Sequence, residues 1–323
     1  MAEVSVALCT YNGERFLGRQ LASILEQTVA PAEIVVADDG SSDGTLQLVG
    51  ASAAETSATA LIVLPPSARL GVTKNFERAI SATSAPIVAL SDQDDVWADG
   101  KLAAMTRAFD DPDVALVHSD ARLVDEDGRP LGLSLFEALE ISAEQLELEQ
   151  SEDGYLMLLR RNLTTGATMA FRRELLDVAR PFPADWVHDE WLAMIAAATA
   201  RIRVLPEQLI DYRQHGSNAI GVVRPTLSHK VRRVVGSSRE RNRTLADKFT
   251  TLSDRLAALG PVVRPGAVEA ARAKAAFEAS RAAYPANRLL RVFPVLRMYR
   301  SGAYQRFASR GTWDVVRDIL QKA

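Results

Sequence analysis

Three carboxylates stand within four residues in the stretch SDQDDVW, at Asp92, Asp94 and Asp95, directly after the apolar run PIVAL. Carboxylates packed that closely repel one another and are wasteful in a turn that serves structure alone. Hard oxygen ligands at that density suit Mg²⁺ or Mn²⁺, ions that a protein commonly holds with one or two carboxylates while substrate phosphates complete the shell. An isolated D-x-D more often caps a helix, here one starting near Gly100; the position at the end of an apparent strand favours the ion. A second cluster, ADDGSSDGT at 37–45, joins acceptors to two glycines that permit a tight turn. Asp38 or Asp39 could accept the imide N–H of a uracil or thymine base, and Ser42 or Asp43 could cap the following helix. Taken alone this is ordinary loop chemistry. Tyr11, in the loop TYN, offers a ring on which a base could stack.

These clusters share a position in the pattern of elements. Short β-branched runs recur at Val4–Leu8, Ile34–Ala37, Leu61–Leu64 and Ile87–Leu90, each apolar on both faces as strands of a covered parallel sheet should be. Between the first two, Phe16, Leu17, Leu21, Ile24 and Leu25 fall on one helical face. Alternating strand and helix predicts an α/β sandwich with right-handed crossovers. Ligands of such sheets bind beyond the carboxyl ends of the strands, where Thr10–Asn12, Asp38–Ser41 and Asp92–Asp95 all fall. The segment 137–153 is acidic and reads as a solvated surface helix.

At 323 residues, nearly half of them apolar, the chain can bury a substantial core. The first residues lack a basic stretch followed by a long apolar one, and no run approaches the roughly 20 apolar residues of a membrane span. A cytoplasmic location is therefore expected. A single cysteine, Cys9, excludes an internal disulfide framework and a cysteine-rich zinc site. There is no G-x-G-x-x-G after the first strand and no G-x-x-x-x-G-K-[ST], so dinucleotide-binding and P-loop readings lack their phosphate loops. The net charge of −3 hides an asymmetry: residues 224–323 hold 21 Lys and Arg against 7 Asp and Glu.

Together, CTYNGERFLGRQLASILEQT, VVADDGSSDGT, LGVTKNFERAI, LSDQDDVW, TTGATMAFRREL, HDEWLA and YRQHGSN resemble the family 2 glycosyltransferases, especially a bacterial rhamnosyltransferase-like branch. The motif order is kept over roughly residues 3–220. The resemblance implies an α/β fold, the GT-A (Rossmann-like) nucleotide-diphospho-sugar transferase domain, over 1–223; beyond it, over 224–323, the sequence itself turns basic and mainly helical, a C-terminal extension punctuated by Pro261, Pro265, Pro285 and Pro294. The resemblance also implies a nucleoside-diphosphate sugar donor, with dTDP-rhamnose first and a UDP-sugar next, and inversion at the anomeric centre. Thr10, Tyr11, Asp38 and Asp39 would hold the nucleoside. Asp92 would lie near ribose and metal, Asp94 would ligate Mn²⁺ or Mg²⁺ with His215, and Asp95 is a third contributor. Gly166 would border the sugar, with Lys74, Asn75 and Arg213 as further donor contacts. Asp189 matches the catalytic base, with Glu190 its neighbour; as a helix N-terminal carboxylate Asp189 also suits the macrodipole. His118 and His188 carry no implied role.

The segment NRLLRVFPVLRMYRSGAYQRF, 287–307, interleaves arginine with apolar residues, so it could lie among anionic headgroups and bring the enzyme to a lipid-linked glycan at the inner face of a membrane. The ordinary alternative is a helical bundle packed on the catalytic domain or on a second copy. Nucleic acid is not an expected partner, since no binding motif accompanies the charge. Two other classes fit parts of the sequence. A haloacid-dehalogenase-like phosphotransferase also uses D-x-D and Mg²⁺, although its D-x-D follows the first strand. A non-catalytic nucleotide-sugar-binding module would keep the acidic clusters and dispense with Asp189.

Overall fold

The computed structural model describes residues 2–55, 59–216 and 239–321. Two compact units divide the chain, Met1–Glu152 with Thr164–Val222 and Asp153–Leu163 with Val223–Ala323. Ser217 and Asn218 of the YRQHGSN motif, and the boundary expected at 223/224, lie outside the described residues.

In the first unit the strands are β1 (Val4–Thr10), β2 (Glu33–Asp38), β3 (Ala60–Val63), β4 (Ile87–Ser91), β5 (Val96–Trp97), β6 (Val114–Val124), β7 (Pro130–Ser134), β8 (Met169–Arg172) and β9 (Arg201–Arg213). They form one sheet in the order β3-β2-β1-β4-β8-β6-β9-β5, with β7 paired to β6. Helices α1 (Glu14–Leu25), α2 (Thr45–Glu55), α3 (Val72–Ser81) and α4 (Lys101–Ala108) belong to the first half of the unit; α5 (Leu135–Ala138) and α6 (Ala143–Gln150) follow β7. Val6, Leu8, Ile34, Val36 and Ile87 are buried with Leu17, Leu21 and Ile24 of α1, each such burial worth about 1.5–3 kcal/mol.

The first four strands are parallel, as their apolar runs lead one to expect. Two expectations are corrected. β3 is the edge strand and its Ile62 and Val63 are exposed, because only one neighbour covers it. Segment 137–153 is not wholly solvated: α6 turns Glu149 inward, 3.2 Å from the buried His118 Nε2 of β6, and Gln150 accepts the Val204 N–H of β9 at 3.0 Å.

Register explains the site. Thr10 lies beside Asp38 and Leu8 beside Ser91, so the loops after β1, β2 and β4 leave the sheet side by side. β8 runs antiparallel to β4, with Ala89 opposite Ala170, which returns the 3₁₀ turn Gly166–Thr168 to that same end. β5 runs antiparallel to β9 with Val96 opposite Asp211. Counting outward from that pair, Asp94 must fall opposite Arg213, two residues short of His215.

The second unit is helical. It contains α7 (Gly154–Arg160), then, beyond α8 (Leu175–Ala179) and α9 (His188–Thr199) of the first unit, α10 (Arg239–Leu259), α11 (Ala267–Ala282), α12 (Arg288–Arg300), α13 (Ala303–Phe307) and α14 (Thr312–Leu320).

Candidate active site

The loops after β1 and β2 are stitched to each other. Asn12 N–H donates to Ser41 Oγ and Gly13 N–H to Thr45 Oγ1, each at 2.8 Å, while Asn12 Oδ1 accepts the Ser42 N–H. Asp38 accepts from Thr10 Oγ1 at 2.8 Å and from the N–H groups of Gly40 and Ser41. Asp39 accepts the N–H groups of Leu70 and Gly71 at 2.6 and 3.0 Å. Both carboxylates therefore shape the turns at this end of the sheet. Tyr11 is exposed, with the Arg69 guanidinium 4.1 Å from its ring centroid. Gln93, which residue type did not single out, exchanges two hydrogen bonds with the Tyr11 backbone and so ties the first loop to the acidic run. A side chain at Gly13 would strike that amide.

Within the acidic run each carboxylate has a different surrounding. Burial pushes the Asp92 carboxyl up to about 7, helped by the charges of Asp94 and Asp189 and opposed by Lys101. Asp95 is held well above the usual carboxylate range, chiefly by burial; its Oδ1 accepts the Arg213 N–H at 3.0 Å, while its buried Oδ2 has no hydrogen-bond partner. Asp94 Oδ2 lies 2.7 Å from His215 Nε2, the outcome of the β5–β9 register, and the His215 ring stacks on Phe16 at 4.9 Å. Asp94 and His215 are hydrogen-bonded to each other; the carboxylate oxygen is of the kind that suits Mn²⁺ or Mg²⁺, and the imidazole is a transition-metal ligand by type. Among the described residues no group of three His, Cys, Asp or Glu is arranged to hold a metal ion. The buried Asp95 Oδ2, next to Asp94 in the chain, is an unused acceptor that a cation would satisfy.

Asp189 sits in the first turn of α9. Its Oδ2 accepts the Gly166 N–H at 3.0 Å and its Oδ1 the Glu190 N–H at 2.7 Å, and its charge is felt at Asp92. Gly166 is required by close approach: a Cβ there would lie 2.8 Å from His188 Nε2. That histidine is buried, its ring stacked on Phe76 at 4.0 Å, and burial lowers its pKa. It packs as a neutral ring beneath the loop.

Lys101, at the start of α4, also escaped notice in the sequence, where it is one lysine on a helix. It is fully buried and donates to the Ala167 carbonyl at 2.7 Å, with its ammonium 3.9 Å from the Trp97 ring centroid. Burial brings its pKa down to about 7 against the pull of Asp95 and Asp92. The lysine thereby bridges the acidic run and the Gly166 turn.

Three residues expected at the donor are engaged in scaffolding. Arg213, 2% exposed, directs Nε to the Asp94 carbonyl and Nη1 to those of Asp125 and Glu126. Asn75, equally buried, donates to the Ala37 carbonyl at 2.7 Å. Lys74 bonds Glu77 and the Phe182 carbonyl, each at 2.6 Å. Their donors hold loops in place, since a buried polar group without a partner is costly.

The model of the glycosyl transferase family 2 matches residues 5–178. An uncharacterized glycosyltransferase of Nostoc sp. is 29% identical over 219 residues, 67% of this chain and 66% of that protein. The dTDP-rhamnosyl transferase RfbG of Shigella flexneri is 35% identical over 100 residues, 29% of this chain and 34% of that protein. The chain thus spans less than two thirds of the length of these relatives. Among solved structures, S. aureus TarS 1–349 in complex with UDP has a TM-score of 0.57 at 17% identity, over 98% of this chain and 90% of that one. The mannosyltransferase PcManGT of Pyrobaculum calidifontis, in complex with GDP-Man and Mn²⁺, has a TM-score of 0.55 at 21% identity, over 99% and 85%. The architecture is the GT-A fold. With strand-end loops, acidic run and Gly166 turn all inside the matched span, the chain belongs to glycosyl transferase family 2.

Proposed function

We propose that this glycosyltransferase moves a sugar from a nucleoside-diphosphate sugar, dTDP-rhamnose or a UDP-sugar, to a hydroxyl of a glycan or lipid-linked acceptor of cell-surface polysaccharide, inverting the anomeric centre with the help of Mn²⁺ or Mg²⁺. The observation that carries the reading is that Asp189, its Oδ2 held by the Gly166 N–H, is near enough to Asp92 for its charge to raise that carboxyl.

Asp94 and His215 would hold the ion, with Asp92 beside them. When bound, it would neutralise the charge developing on the diphosphate leaving group, which then needs no proton. Asp189 acts as general base, taking the acceptor hydroxyl's proton as that oxygen attacks the anomeric carbon opposite the diphosphate. Its two backbone N–H bonds hold the carboxylate in one orientation, which serves an in-line attack. Glu190 is the neighbour of Asp189 on α9. Thr10 and the turns shaped by Asp38 and Asp39 border the nucleoside, with Tyr11 as its stacking surface; Lys74, Asn75 and Arg213 support these walls. The work is done at the cytoplasmic face, where activated sugars and lipid-linked acceptors meet.

The test is calorimetric titration with dTDP- and UDP-sugars, with and without Mn²⁺. Donor affinity should depend on the ion and fall in Asp94→Ala; ion-independent binding unchanged in that variant would overturn the metal assignment. Product anomers read by NMR should be inverted, and retention would exclude the single-base mechanism. Thermal stabilisation across a nucleotide-sugar panel would name the donor.

A further inference from the structure

The C-terminal helices carry an exposed apolar surface made of none of the candidate site residues. α14 is amphipathic in the reverse sense to a helix facing water. Its carboxylates Asp314 and Asp318 point into the helical unit and are buried, whereas Trp313, Val316 and Leu320, spaced on one face, point outward. Trp313 is 72% exposed. α12 packs beside α14, anchored where Arg291 donates to the carbonyls of Asp318 and Gln321. Its outward stripe is Leu289, Leu290, Phe293 and Leu296, with Leu289 83% and Phe293 75% exposed. Single exposed apolar residues need no explanation, but seven on two packed helices make a patch that marks a binding surface.

Charge selects the partner. From Asn287 to Gln321 the acidic residues are Asp314 and Asp318, both buried. Arg288, Arg297 and Arg300 of α12, with Arg306 and Arg310 beyond it, are exposed. A surface of bulky apolar side chains and a tryptophan, rimmed by arginine without an exposed carboxylate, is complementary to an anionic lipid leaflet. A second copy of the chain would bring the same arginines face to face. No helix among the described residues is long and apolar enough to cross a membrane, so contact would be by lying in the headgroup region.

We infer that the outward face of α12 and α14, from Leu289 to Leu320, is an interfacial docking surface for an anionic bilayer. This sharpens the sequence expectation for 287–307. That segment is not one interfacial helix: Arg291, Val295, Tyr304 and Phe307 are interior to the unit, and α14, outside that span, supplies the tryptophan. The inference stands on these helices alone, so its failure leaves the donor-site reading untouched.

The test uses the full chain and sucrose-loaded vesicles of phosphatidylcholine, alone or mixed in equal parts with phosphatidylglycerol. The protein should sediment with the mixed vesicles, release as salt is raised, and show a blue shift of tryptophan emission. Trp97, Trp186 and Trp191 are buried, so the shift reports Trp313. Phe293→Ser should weaken partitioning about tenfold, and Arg297→Gln or Arg300→Gln about fivefold each, with unchanged melting and unchanged donor binding. Three results would overturn the inference: no sedimentation with the mixed vesicles, equal sedimentation of wild type and Phe293→Ser, or a dimer in light scattering that Phe293→Ser dissolves, which would make a second copy the occupant.

Discussion

Carboxylates are buried in both units, in opposite company. In the helical unit Glu278 accepts from Lys274 at 2.7 Å and Arg281 at 2.9 Å. Asp318 accepts two guanidinium bonds from Arg281, at 2.6 and 2.9 Å, and one from the Tyr304 hydroxyl. Opposite charge there holds the Arg281 guanidinium charged despite its burial. At the strand ends Asp92, Asp94, Asp95 and Asp189 crowd together, with Lys101 the buried ammonium among them and its own pKa drawn down. In the helical unit each buried acid meets a cation and charge is matched within the unit; at the strand ends acids gather around one lysine, and burial with mutual repulsion raises their pKa values. Burial alone would not have told the two apart.

The largest effect that can break this comparison is at Asp189. Asp189→Asn should lower transfer about 10²–10⁴-fold with donor binding retained; a loss under about tenfold would reduce Asp189 to a favourable charge at a helix N-terminus. Next comes the helical network. Arg281→Met takes from Glu278 and Asp318 the cation they share and should cost about 3–5 kcal/mol in urea unfolding. Gly166→Ala, which sets a Cβ against His188 Nε2, should cost about 1–3 kcal/mol and slow turnover by shifting the N–H that holds Asp189. Smallest is a pH effect. Because the Asp92 carboxyl is raised to about 7, it keeps its proton below that pH and an arriving ion must displace it. Mn²⁺ affinity should climb by up to about tenfold per pH unit up to pH ~7 and then level; Asp92→Asn should flatten this rise. The same raised pKa means the native state out-competes the unfolded chain for that proton above pH ~4, so metal-free stability should fall as pH rises toward 7.

Much of the first half of the sheet was legible because β-branched runs of strand length, each ending in a polar cluster, state both element and location. β3 shows the limit: its residues read like those of β1, and only its place at the edge exposes Ile62 and Val63. Lys101 and Gln93 were invisible for a different reason. Neither residue type announces a role, and each acquires one from a carbonyl or amide distant in the chain, Ala167 for the lysine and Tyr11 for the glutamine. Arg213 and Asn75 show the other side of this: residue type suits them to phosphate and sugar, and in the fold their buried donors meet backbone carbonyls.

What the sequence determined by itself is the kind and order of the candidate groups: a run of hard acids after the fourth strand, then a glycine turn, a helix with Asp189 in its first turn, and a histidine after it. Those are local properties, set by residue type and by the period of the apolar pattern. Tertiary structure alone decided which groups share a space and what charge they are left with. The antiparallel β5–β9 register brings His215 to Asp94 across 121 positions of chain, and the packing of α14 turns its acids inward and its tryptophan out. Charge balance is a sum over neighbours in space, and order along the chain does not contain it.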